Sequence, residues 1–253
     1  MGYTISELVG QLKELGVAET DTITVHTSLK SVGEIDGAGM RPAEALITAL
    51  RKAVPEGLLL IPSHTFRNIR EYPVYDVRNT LPCIGGVPSC AVELANAAYD
   101  RGDRTCIRSL HPDHSLVAFG KDAEEFVAGD ALARSPMDPC GCYRKLAARG
   151  AKILLIGVDF SKNTFIHAVD EELHPDEVSA PYPVEVIDYL GNHVQREARS
   201  CRGPSRFYVG YEPYLAECGA LTVGKLGDAK VLLCRADELR QVVIRHFDTV
   251  MKR

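Results

Sequence analysis

The sequence lacks the features that would send a chain into or across a membrane. No apolar run approaches the roughly 18 residues that a span needs, and the start, MGYTISELVGQL, has no basic patch followed by a sustained apolar stretch, so no signal peptide is read there. Gly2 after Met1 fits either a myristoylation start or, more simply, the approach to a helix cap. A cytoplasmic location is therefore expected. A large charge excess is also missing: the net charge is −5, which gives no reason to expect capture of nucleic acid or an anionic membrane. No Pro/Gly/Ser-rich linker, internal repeat or low-complexity tract divides the 253 residues, so one domain over 1–253 is expected. The motif spacings GxxxxGK[ST] and HExxH are absent, which argues against a P-loop nucleotidase and a zincin.

What is present is ordinary globular composition, 45% apolar and 25% charged, in a chain long enough to bury a full core. Eight cysteines stand at 83, 90, 106, 140, 142, 201, 218 and 234; with no secretory signal they read as reduced thiols, and Cys140-Gly-Cys142 is too tight for a zinc knuckle. Short apolar runs at 22–25, 57–61, 152–158 and 229–234 predict buried strands. Amphipathic segments at 4–15, 41–53, 87–99, 123–129, 137–149 and 236–250 predict helices, with Thr4 as the first N-cap and Pro42 in the second first turn. Alternation of this kind predicts helices on both faces of a sheet. Residues 184–189 and 194–197 flank Gly191-Asn192 as a hairpin, which makes the sheet mixed and partly antiparallel. The stretch 63–86 reads as a long binding loop carrying Arg67, Arg70, Tyr72, Tyr75 and Asp76.

Four clusters carry polar chemistry at element ends. His26-Thr27-Ser28-Leu29-Lys30-Ser31-Val32-Gly33 follows a strand; its hydroxyls and backbone N–H groups suit phosphate oxygens, or make a plain polar turn. Arg108-Ser109-Leu110-His111-Pro112-Asp113-His114-Ser115 packs two histidines and an arginine into eight residues, either for acid–base or metal chemistry or as a self-satisfied turn. After the strand at 152–156, Asn163 or Thr164 can cap a helix that sets His167 on one face with Asp170 or Glu171, the arrangement of an oriented general base, or of a surface helix with ordinary charge pairs. Arg199, Arg202 and Arg206 flank a Gly-Pro turn and suit an anion, or simply solvent.

In this order the clusters resemble the aminoglycoside 3-N-acetyltransferase family. The family's His-Ser-Ser-Leu-x-Ser-x-Gly loop is matched by 26–33, its Pro-x-His/Ser by Pro62-Ser63-His64, and its Arg-Ser-x-His-Pro-x-x-Ser by 108–115. Ser135-Pro136, Leu155-Ile156-Gly157-Val158 and Asn163-Thr164-Phe165-Ile166-His167-Ala168-Val169-Asp170 complete the series, and the tail 219–229 keeps its cadence. The resemblance covers about residues 4 to 240. It implies a three-layer α/β/α sandwich around a mixed sheet, with acetyl-CoA as co-substrate, a small polar amine as acceptor, no resident metal, and a homodimer allowed. It further implies Thr27, Ser28, Leu29, Lys30 and Ser31, with Arg108, Ser109 and Ser115, along the cofactor. His167 becomes the base, supported by Asp170 or Glu171, and Ser115 the hydroxyl facing the oxyanion. His64, Arg67, Tyr72 and Asp76 are expected near the acceptor.

Two departures bear on the substrate. Ile84-Gly85-Gly86-Val87-Pro88-Ser89 replaces the family's Met-Gly-x-Ile-x-Glu, so a carboxylate is missing at 89, and the preceding loop offers Arg67, Arg70 and Arg78 where a polycationic drug would want acids. Like charges facing a cationic substrate cost affinity, and a different amine, one bearing an anionic group, also fits those arginines. Two other readings stand beside acyl transfer. One is metal-assisted hydrolysis on His111, His114, His167 and Asp170; the other is a non-catalytic binding protein on the same scaffold.

Overall fold

The computed structural model describes residues 2–252 apart from Pro136, Val178 and Arg202. Its strands are β1 (Tyr3–Thr4), β2 (Thr22–Thr27), β3 (Ile35–Asp36), β4 (Leu58–Pro62), β5 (Val74–Asp76), β6 (Cys106–Arg108), β7 (Leu116–Phe119), β8 (Lys152–Ile156), β9 (Tyr182–Ile187), β10 (His193–Ala198), β11 (Thr222–Leu226) and β12 (Ala229–Arg235). Its α-helices are α1 (Ile5–Glu14), α2 (Leu29–Val32), α3 (Pro42–Ala53), α4 (Phe66–Glu71), α5 (Gly86–Asp100), α6 (Ala123–Val127), α7 (Cys142–Ala148), α8 (Phe165–Leu173), α9 (Glu212–Glu217) and α10 (Ala236–Met251). Thr4 caps α1 in a full capping box with Glu7, as its sequence position predicts. No helix of the described residues is long and apolar enough to cross a membrane.

The main sheet runs β11-β12-β8-β2-β4-β7-β6. Its centre, β8-β2-β4, is parallel. The flanking pairs β11–β12, β12–β8, β4–β7 and β6–β7 are antiparallel. Residues alternate between two cores: Leu154 and Ile156 of β8 pack with α1, α3 and α5, whereas Ile153 and Leu155 pack with α7, α8 and α10. Burial on both faces explains why β8 reads as a continuous apolar run. The expected α/β/α sandwich around a mixed sheet is the fold observed.

Several boundaries move for physical reasons. The 184–189/194–197 hairpin forms as β9 and β10, but it lies outside the main sheet, in a small sheet of order β10-β9-β5. The mixed character of the main sheet comes from other pairs. The stretch 63–86 is no plain loop: it holds α4 and β5, because Ile69, Tyr75 and Val77 bury themselves against Val184 and Val186. The helix expected over 137–149 starts only at Cys142, after turns in which Asp138 N donates to Ser135 O and Gly141 N to Asp138 O. The strand expected to reach Val158 stops at Ile156, where Gly157 takes φ +65°; a side chain there would stand 2.4 Å from Ser31 Cβ.

Candidate active site

From β2 the sheet continues to β4 on one side and to β8 on the other, and both are parallel to it. Crevices open at the carboxyl ends of strands at such switch points. A cleft of about 520 Å³ lies there, walled by His26 and Thr27 of β2, Ile61 and Pro62 of β4, and Val158 past β8. Ser161, Lys162, Asn163, Thr164 and His167, with Cys201, Gly203 and Ser205, close one wall; His64, Phe66, Arg67, Arg70 and His114 close another. Ile84 and Pro88, in the segment where the family's carboxylate is missing, also line it.

His167 enters this cleft from the first turns of α8. Asn163 Oδ1 accepts from Phe165 N at 3.1 Å and so opens the helix, which fixes where the imidazole projects. The Nδ1 of His167 lies 2.8 Å from the Tyr208 hydroxyl, and the two rings meet edge to face with centroids 5.0 Å apart. Asp170, nearly fully buried, sits one turn further along α8, with Oδ1 3.3 Å from His174 Nδ1. Gly203 shows how tightly these groups converge. A Cβ there would stand 2.8 Å from Asp170 Oδ2, 3.0 Å from the Tyr208 oxygen and 3.6 Å from His167 Nδ1. If Nδ1–H donates to Tyr208, Nε2 carries the lone pair that a general base needs. Glu171 is engaged elsewhere: it accepts from the Ser135 hydroxyl, and burial raises its pKa.

The wall also contains polar atoms with no partner inside the protein. His26 Nε2, Thr27 Oγ1 and Asn163 Nδ2 are buried and unpaired, and all three residues line the cleft. Unspent donors and acceptors of this kind suit a polar ligand. Burial depresses the His26 pKa to about 4 and holds His64 well below the ordinary imidazole range, so both are neutral near pH 7. His64 Nε2 pairs with the Tyr143 hydroxyl at 2.8 Å. Among the described residues lining the cleft there is no Asp or Glu, while Arg67, Arg70 and Lys162 supply cationic groups.

The remaining expected residues are divided by the fold. Thr27, His64, Arg67 and His167 meet in the cleft. Ser28, Leu29, Lys30 and Ser31 follow Thr27 but do not line it; Ser31 Oγ donates to Ser28 Oγ at 2.9 Å, and Lys30 is exposed. Arg108, Ser109 and Ser115 form a buried knot instead of a cofactor wall. The Arg108 guanidinium donates to Val77 O, Thr80 O and Ser63 O, and Ser115 Oγ donates to Ser63 O at 2.8 Å. Ser109 Oγ accepts from Leu116 N. Ser115, expected as the oxyanion donor, here gives its proton to Ser63 O and does not line the cleft. Tyr72 is exposed and does not line the cleft, and the Asp76 carboxylate is taken up by Arg78 N, Asn79 N and Asn79 Nδ2. Among the described residues no group of three or more His, Cys, Asp or Glu side chains is placed to hold a metal, so His111, His114, His167 and Asp170 do not assemble as ligands. Sequence reading missed Tyr208, 41 positions from His167, because no local spacing links them.

A three-layer sandwich with an imidazole-walled cleft at its strand ends defines a class, the α/β enzymes that act on small molecules. Within it, the chain belongs to the aminoglycoside 3-N-acetyltransferase family, whose profile matches residues 24–248. That family places it among the acyltransferases. It is 27% identical to an SPbeta prophage-derived aminoglycoside N(3')-acetyltransferase-like protein, YokD, of Bacillus subtilis, over 95% of this chain and 89% of that protein. Identity to aminoglycoside N(3)-acetyltransferase IV of Salmonella sp is 29%, over 65% of this chain and 58% of that enzyme. The structure superimposes on that of AAC-IIIb in binary complex with CoASH with a TM-score of 0.78 at 22% identity, covering 99% of this chain and 98% of the other.

Proposed function

We propose that this chain transfers the acetyl group of acetyl-CoA to an amine of a small polar molecule, with His167 as general base. The observation that carries the reading is the meeting of His167, Tyr208 and Asp170 around Gly203 at the cleft wall. In this reading Tyr208 holds Nδ1, and Nε2 takes the amine proton as nitrogen attacks the thioester carbonyl. The Asp170 carboxylate stabilises the imidazolium that forms. Asn163 Nδ2, unpaired in the wall two residues before α8, is the donor we assign to the developing oxyanion in place of Ser115. His26 and Thr27 hydrogen-bond the bound thioester arm. CoASH in the related AAC-IIIb structure supports the choice of donor. A cytoplasmic location, where acetyl-CoA is available, goes with this assignment.

For the acceptor, the cleft favours an amine that also bears an anionic group. Arg67, Arg70 and Lys162 line it with no carboxylate among its described residues, and like charges would oppose a polycationic aminoglycoside. Drug modification, and antibiotic resistance with it, therefore ranks second. A thiol-release screen with acetyl-CoA against aminoglycosides and against amino-carboxylates and amino-phosphonates tests both points. We expect turnover with the anionic amines, and a fall of about 10² to 10⁴ in kcat for His167→Ala, the range for removing a general base. Acetyl-CoA affinity should persist in that variant. Near-wild-type turnover in His167→Ala would sink the base assignment.

A further inference from the structure

The cleft contains a second constellation that the direct-transfer reading leaves unused. Cys201 and His114 both line it, with Sγ 3.3 Å from Nε2. On the other side of the ring, His114 Nδ1 lies 3.3 Å from Asp113 Oδ2, and both residues are buried. His114 is further fixed by Phe66, stacked at 5.5 Å, and by His64 at 4.4 Å. A thiol, an imidazole against it and a carboxylate behind the imidazole are the parts of an activated nucleophile.

We propose that Cys201 is a catalytic nucleophile that takes the acyl group from a thioester, with His114 as its proton partner and Asp113 as the residue that positions His114. The inference rests on the reading that acetyl-CoA enters this cleft. His114 removes the thiol proton, and the thiolate attacks the thioester carbonyl. The new Sγ–C bond forms as the C–S bond to coenzyme A breaks, and the departing thiolate takes the proton from His114. One thioester replaces another, so no oxidant or reductant is needed. The amine then attacks the acetyl-Cys201 carbonyl, His167 accepts its proton, and Cys201 leaves as the thiolate.

Position singles out this thiol: of the eight cysteines, Cys201 alone lines the cleft, and it lies against His114. Against the burial that alone would lower it, interaction with Cys201 and Asp113 raises the His114 pKa well above the ordinary value, which suits it to take a proton from the thiol. Burial instead pushes up the thiols of Cys142 and Cys234, and that of Cys106 to about 12, which keeps them inert.

The test mixes the full chain with acetyl-CoA in the absence of any amine. We expect a burst of about one free coenzyme A thiol per chain and one acetyl group on the peptide carrying Cys201. The acetyl group should be absent in Cys201→Ser and retained in Cys218→Ser, a change at an exposed thiol outside the cleft. Asp113→Asn should slow the burst and move its pH profile, which a merely structural role would not do. With a verified amine, Cys201→Ser should lose about 100-fold or more in kcat. Full amine acetylation in Cys201→Ser with no acetyl-enzyme in the wild type would overturn the proposal and leave the acetyl-CoA reading standing. If acetyl-CoA does not bind, that reading fails on its own, and p-nitrophenyl acetate judges the thiol directly. A nitrophenolate burst lost in Cys201→Ser supports the nucleophile, and its absence from the wild type removes it.

Discussion

Gly203 and Asn163 are the single residues on which the proposed chemistry turns. At Gly203 the backbone has φ +129°, a region that side chains avoid, and a Cβ would press on Asp170 Oδ2 and the Tyr208 oxygen. Gly203→Ala should therefore push apart the groups that aim His167. A displacement near 1 Å at a reacting centre costs about 100-fold in rate. Steady-state kcat, read beside an unchanged far-UV CD spectrum, checks this; wild-type kcat would show that the convergence is incidental. Asn163 uses its two ends differently, since Oδ1 opens α8 while Nδ2 has no partner in the protein. Asn163→Asp keeps the acceptor for Phe165 N and deletes the donor. We expect kcat to fall about 100-fold, as for loss of one oxyanion donor, with thermal stability little changed. An intact kcat would move the oxyanion site elsewhere.

Between elements, Arg108 at the end of β6 joins segments that share no local sequence. Its guanidinium donates to Val77 O and Thr80 O beyond β5 and to Ser63 O beyond β4, and it lies 5.1 Å from the Tyr75 ring. The cation is almost wholly buried, so these bonds are worth more than exposed ones, about 1.5–3 kcal/mol each before compensation. Arg108→Met should leave those carbonyls without a donor and lower unfolding stability by about 3 kcal/mol or more, read as a reduced urea midpoint. A midpoint within error of wild type would show that water replaces the guanidinium without loss. The motif that the family resemblance places along the cofactor thus also clamps the segment behind His64 and Phe66. Both uses call for the same residue types, an arginine with nearby hydroxyls, and a local motif does not say which way the side chain points.

Over the whole molecule, buried histidines tie stability to pH. Burial lowers His26 to about 4 and His111 to about 3, and His64 lies well below its ordinary value. Between about pH 6.5 and 4 the unfolded chain binds these protons and the folded one does not, so stability falls as pH drops through that window. His114, raised in the fold, is protonated in both states there and contributes nothing to the slope; its stabilisation is lost as pH rises through its folded value. Unfolding free energy should therefore fall by a few kcal/mol in all from pH 6.5 towards 4, read as a declining melting temperature. His26→Gln should flatten the slope. A melting temperature independent of pH over this range would contradict the neutral, buried assignment.

The chain's own pattern of apolar runs was enough for the layers of the fold, because β2, β4, β8 and β12 are buried on both faces and carry that burial in their composition. The same local order placed His167 in the first turns of a helix and Asp170 three residues on, a spacing that any α-helix turns into proximity. Tertiary structure alone decided that Tyr208 meets His167, that Cys201 meets His114, and that Ser115 serves Ser63 instead of a ligand. It also turned 63–86 into α4 and β5 by pairing Tyr75 with Val186, more than a hundred positions away. The physical reason is common to all four. Each is a contact between segments far apart in sequence, set by how the sheets and helices pack, and no periodicity within either segment encodes its partner.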